Sequence, residues 1–207
     1  MKRIFAIVLF ILATITVGNV YAQQDEEAAE REETRARLDK LLTEVGPAIN
    51  VSFTQSQKQP FNYVGTLRTG LVNAESLGIV ISVTANDTIG FRIYPHYKNG
   101  YINVDKVMDR AALMRLLLRL SDRAFLYWGA DESGDIFTGY TFTLESGFPA
   151  EAITVVLKSI VNSDRFVGEM RPLLDAPIAD VTETKPSPAA KPPVKAKAPA
   201  RRRRRGK

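Results

Sequence analysis

Hydrophobic and polar positions repeat with two different periods along this chain, and each change of period marks an element. Leu38, Leu41, Leu42 and Val45 follow the i, i+3, i+4, i+7 spacing of a helix face. Gly46-Pro47 stops that helix. The stretch before it, 23–37 (QQDEEAAEREETRAR), is helix-prone but polar all round, so it reads as solvated or frayed. A period of two then takes over. Segments 49–55 (INVSFTQ), 61–68 (FNYVGTLR), 77–84 (LGIVISVT) and 89–94 (IGFRIY) read as strands, with Ile89, Phe91 and Ile93 on one face. Asn86-Asp87 and Asn99-Gly100 are turn signals between extended runs. Pro95 is expected to break the strand or leave it at an edge, and 101–104 reads as a further extended piece.

The helical period returns at 105–123 (DKVMDRAALMRLLLRLSDR), where Leu113, Leu116, Leu117 and Leu120 form the stripe to be buried. Segments 124–129 and 136–144 flank Asp131-Glu132-Ser133-Gly134-Asp135, a hairpin with a glycine-containing loop. The dense aromatics from Phe125 to Phe148 read as core at strand spacing. Pro149 suits the first turn of a last helix, whose apolar face is Ile153, Val156, Leu157, Ile160 and Val161. Residues 165–174 read as a short trailing segment. The order helix–strands–helix–hairpin–helix predicts an α+β domain over 38–174, an antiparallel sheet with flanking helices.

The two ends differ from this domain. Met1-Lys2-Arg3 is a short positive start, 4–17 (IFAIVLFILATITV) is uncharged and mostly apolar, and Gly18-Asn19-Val20-Tyr21-Ala22 follows. This is the order of a cleavable export signal over 1–22. The apolar run is shorter than the ~20 residues a membrane-crossing helix needs. An exported protein in the bacterial periplasm or beyond is expected. Residues 175–207 are rich in Pro, Ala and Lys and are expected to be a disordered basic tail ending in Arg201, Arg202, Arg203, Arg204 and Arg205.

Charge sharpens the division. The net charge of +5 combines a cationic tail, with ten basic residues and no acid over 185–207, and an acidic body. All 23 acidic residues lie within 23–184 against sixteen basic ones, a balance of −7. Such asymmetry points to an interaction arm. Its expected partners are anionic envelope polymers or lipid headgroups. Nucleic acid offers the same physics but is less available to an exported protein.

Catalytic chemistry has little to stand on. The chain has no cysteine, which excludes disulfides, thiolate metal sites and a cysteine nucleophile. His96 is the single histidine and no Gly-x-Ser-x-Gly elbow or phosphate-binding glycine loop occurs. No cofactor or metal is expected. Asp131 to Asp135 could wrap calcium through oxygen ligands, but the twelve-residue spacing fails at Ile136 and Phe142, and an acidic turn is the simpler reading. An enzyme using carboxylates among Asp122, Asp131, Asp135 and Glu145 is the alternative. Arg115, Arg119 and Arg123 share one helical face at i, i+4, i+8 and are candidates for binding an acidic partner segment.

A leucine-rich helix end running into an aromatic strand, Leu116-Leu117-Leu118-Arg119-Leu120-Ser121-Asp122-Arg123-Ala124-Phe125-Leu126-Tyr127-Trp128-Gly129, resembles the YbjN family. The hairpin at Asp131–Ile136 and the segment ending Ile160-Val161-Asn162-Ser163-Asp164 look like that family's hairpin and last helix. The resemblance implies a fold like that of type III secretion chaperones, often homodimeric, and no enzymatic activity. The expectation is an exported, non-enzymatic module that binds a protein or peptide, possessing a tail that contacts the envelope. A structural, self-associating protein is a further alternative.

Overall fold

The computed structural model describes residues 26–176. The chain divides into two units, Met1–Ala176 and Pro177–Lys207. The export signal expected at 1–22, and residues 177–207 of the expected tail with its run Arg201–Arg205, lie outside the described residues. Asp175, expected to open the disordered tail, is instead held at 2.7 Å by both the Tyr97 hydroxyl and Lys98.

The first helix, α1, covers 26–45. It has no Gly or Pro, and its C-terminal half buries Leu38 and Leu42. Its N-terminal half, expected to be solvated or frayed, is docked by two arginines. The Arg31 guanidinium donates twice to the Val83 carbonyl, at 2.7 and 3.1 Å, and lies 3.7 Å over the Phe61 ring. Arg35 donates to the Tyr63 hydroxyl at 3.2 Å. Long arginine stems cover apolar surface while their heads reach polar partners, so a polar helix face can still pack.

Six strands follow in an antiparallel sheet: β1 Thr54–Gln55, β2 Asn62–Leu67, β3 Ser76–Val83, β4 Thr88–His96, β5 Tyr127–Ala130 and β6 Ile136–Thr143. Their spatial order is β1-β2-β3-β4-β6-β5. Helix α2, Arg110–Arg123, connects β4 to β5, and α3 (Ala150–Ser159) and α4 (Ser163–Leu174) follow β6. The α+β class and the element order are those the periodicity predicts.

One core cluster joins Leu38 and Leu42 of α1, Leu113, Leu117 and Leu120 of α2, Ile153 and Leu157 of α3, and Val167 and Met170 of α4 to one face of the sheet. That face carries Tyr63, Leu77, Ile79, Ile81, Ile89, Phe91, Ile93 and Trp128. The helices therefore share one side of the sheet, and the alternate residues of the strands point to the other.

Several boundaries differ from expectation for local reasons. The first strand is only two residues long, because Gly46–Ile49 forms a 3-10 turn that ends at Asn50 with φ of 56°. Pro95 lies inside β4 rather than ending it. The β4–β6 ladder stops at Ile93, and the Pro95 carbonyl instead receives the Ile102 N–H at 3.2 Å, so no N–H is demanded of the proline. Residues 101–104 make only isolated bridges, Tyr101 to His96 and Asn103 to Asp135. Helix α2 begins at Arg110 and not at 105, because the Asp109 carboxylate caps it by accepting the Ala112 N–H at 2.7 Å. The trailing segment is the full helix α4, which buries Phe166, Val167 and Met170.

Candidate functional site: a groove on the open face of the sheet

The strand pairing aligns the outward residues in rows across the sheet. One row runs Asn62, Ser82, Gly90, Thr141 across β2, β3, β4 and β6. The next runs Val64, Val80, Arg92, Gly139, Tyr127 and reaches β5. Two glycines in these rows shape the surface differently. A Cβ on Gly90 would meet nothing within 4 Å, so the position opens a gap. A Cβ on Gly139 would lie 3.0 Å from the Tyr127 ring, so that ring covers Gly139.

The result is a groove of about 490 Å³ along the middle strands. Gln59, Asn62, Ser82, Thr84, Thr88 and Thr141 line it with amides and hydroxyls, and Val80, Arg92, Tyr94 and Tyr127 complete the walls. The volume lies within the ~300–1,000 Å³ typical of small-ligand sites. Asn62 bonds Gln59, and the Thr84 and Thr88 hydroxyls lie 2.7 Å apart, so those pairs are mutually oriented.

At one end, aromatic rings form a cluster separate from the core. Phe137 is buried at 6% exposure yet lies outside the core cluster. Its ring is 5.7 Å from Tyr94 and 5.9 Å from Tyr127, centroid to centroid, and Arg92 sits 4.8 Å over it. Tyr101 extends the cluster, 5.6 Å from Tyr94 and 4.1 Å from His96. The Tyr94 hydroxyl beside Arg92 holds the guanidinium above its ordinary pKa. Burial raises the Tyr94 phenol, which Arg92 partly offsets. A guanidinium held by a phenol and a ring face is preorganised rather than free to swing.

The residues singled out in the sequence lie elsewhere. Arg115, Arg119 and Arg123 are exposed on α2, in the helix layer. Arg123 pairs with Glu169 of α4 at 2.5 Å, while Arg115 and Arg119 have no ion-pair partner among the described residues. They are not brought together with the groove. The carboxylates considered for catalysis are separated by role. Asp131 closes the hairpin by accepting the Ser133 and Asp135 N–H groups at 2.9 and 3.0 Å. Asp135 receives the Asn103 amide at 2.8 Å. Asp122 and Glu145 are exposed on other elements. Among the described residues, no group of three or more His, Cys, Asp or Glu side chains could hold a metal ion. Nor is any described helix long and apolar enough to cross a membrane.

Sequence reasoning missed the groove residues. The signal was present in the alternation of β4: placing Ile89, Phe91 and Ile93 inward puts Gly90, Arg92 and Tyr94 outward. It also read the aromatics after Phe125 as core, whereas Tyr127 and Phe137 face the outer side and Trp128 and Phe142 the core. Compared with models of protein families and with curated proteins, the chain matches none.

Proposed function

We propose that this protein is an exported, non-enzymatic binding module. Its open sheet face holds the ligand, and its basic tail contacts anionic envelope polymers or lipid headgroups. The observation that carries this reading is the one-sided packing of the sheet, which leaves a preformed groove of about 490 Å³ between oriented polar side chains and an aromatic cluster. The resemblance to the YbjN family, with its chaperone-like fold, favours binding over catalysis.

Full-length protein and a Gly90→Val variant, each immobilised and exposed to envelope extract, test the sheet face. Valine suits a strand and fills the gap, so envelope components kept by the parent are lost from the variant. Identical retention by both would sink this reading. The tail is tested separately by comparing full-length protein with a form ending at Thr184 in low and high salt. Full-length retention falls as salt rises, because screening weakens exposed contacts. Equal retention in both salts removes the tether.

A further inference from the structure

Resting on the sheet-face reading, we infer that the groove's ligand is a neutral oligosaccharide, bound with a pyranose ring over Gly90 and a neighbouring ring against Tyr127. The chemistry of the lining is the first reason. Eight of its side chains carry an amide or a hydroxyl, two of them the phenols of Tyr94 and Tyr127, none is a carboxylate, and the one charged group is Arg92. A sugar presents hydroxyls around its rim, each both donor and acceptor, and amides and hydroxyls answer both roles.

The row across the sheet supplies the geometry. Ser82 and Thr141 flank Gly90 on the two neighbouring strands. Two strand spacings put these positions about 10 Å apart, with no side chain between them. Neither hydroxyl has a hydrogen-bond partner among the described residues, whereas Thr84, Thr88 and Asn62 do. A flat ring lying over the glycine would meet a free hydroxyl at each edge. Beside it, Tyr127 is 43% exposed with its ring lying over Gly139, so it offers an aromatic surface to the C–H face of an adjoining sugar. Antiparallel sheet faces serve oligosaccharides in this way in small barrels.

Other ligand classes fit less well. A single-stranded nucleic acid needs several cations along its phosphates, and this groove has one, already engaged by Tyr94 and Phe137. A peptide adding as a strand needs an unpaired sheet edge. The gap at Gly90 lies on β4 between β3 and β6, all three paired with a strand on either side, and the open edge of β5 lies beyond Tyr127.

The test is titration of the full-length protein with a neutral hexasaccharide of N-acetylglucosamine, a neutral hexasaccharide of glucose, a ten-nucleotide thymidine strand and an uncharged decapeptide. Isothermal calorimetry reads binding, and circular dichroism with Trp128 fluorescence confirms folding of each variant. At least one neutral hexasaccharide binds, with little dependence on salt, and Gly90→Val and Tyr127→Ala each weaken it about tenfold or more. Ser82→Ala, which removes one hydroxyl and no bulk, weakens it less and keeps the fold. Failure of both hexasaccharides at millimolar concentration overturns the glycan assignment, as does sugar binding that Gly90→Val leaves intact. If the nucleotide or peptide binds instead and Gly90→Val abolishes it, the sheet-face reading survives and the glycan assignment falls. If Gly90→Val changes neither these titrations nor retention of envelope components, both fall.

Discussion

The Asp164 carboxylate accepts the Ala74 backbone N–H at 2.7 Å, joining residues 90 positions apart in the chain. It also receives Val72 N–H at 2.9 Å and Asn73 N–H at 3.0 Å, so one side chain at the start of α4 organises the loop leading into β3. Asp164 is 5% exposed. Burial alone would raise its pKa, but the N–H donors of Ala74, Val72 and Asn73 together outweigh burial and hold it below the usual carboxylate range.

Replacing Asp164 by Ala leaves these donors without their acceptor, so stability falls by about 2–4 kcal/mol. The pH dependence has a definite sign. The folded-state pKa lies below the unfolded value of ~3.9, so the contribution is complete above that pH and is lost as pH falls through the folded pKa. Urea melts between neutral pH and pH ~3 check both points. The parent loses stability over that interval, and Asp164→Asn loses less of it. An equally steep acid limb in Asp164→Asn would mean that other carboxylates cause the acid loss.

The two outward glycines should respond oppositely to alanine. At Gly139 a Cβ would lie 2.6 Å from the Phe91 carbonyl oxygen, a backbone atom of the paired strand. Gly139→Ala therefore costs about 1–3 kcal/mol by forcing β4 and β6 apart. At Gly90 the added carbon meets nothing, and Gly90→Ala gains up to about 1 kcal/mol by restricting the unfolded chain. Thermal melts of the pair distinguish them, and equal shifts would contradict the close approach of Gly139 to the Phe91 carbonyl.

The N-terminal half of α1 depends on its arginines more than on its periodicity. Arg31→Ala removes two hydrogen bonds to the Val83 carbonyl and the contact over Phe61. The expected cost is about 1–2 kcal/mol. Hydrogen exchange should quicken over 26–37 and stay unchanged over α2. Unchanged exchange over 26–37 would mean that α1 docks through Leu38 and Leu42 alone.

The arginine row of α2 carries little stability. Arg115→Glu and Arg119→Glu are expected to shift stability by within about 0.5 kcal/mol, since neither has an ion-pair partner among the described residues. Arg123→Ala loses an exposed pair with Glu169, worth less than about 1 kcal/mol. A large loss at Arg115 or Arg119 in denaturant melts would reveal a contact that their exposure does not predict.

Period alone determined the class of this domain. The 3.6-residue spacing of Leu113, Leu117 and Leu120, and the two-residue spacing of Ile89, Phe91 and Ile93, are local signals, and burial follows them because each element must hide one face. The Asp131–Asp135 hairpin was equally legible, since Gly134, at φ of 78°, marks its turn within five residues. Tertiary structure decided the rest. The placement of β6 between β4 and β5 brings Thr141 beside Gly90, residues 51 positions apart, and no local pattern encodes a pairing between strands so distant in the chain. The same packing determined that all the described helices share one face. Alternation identifies two faces of a strand but does not say whether the polar one is covered, and the groove exists because no described helix packs on it.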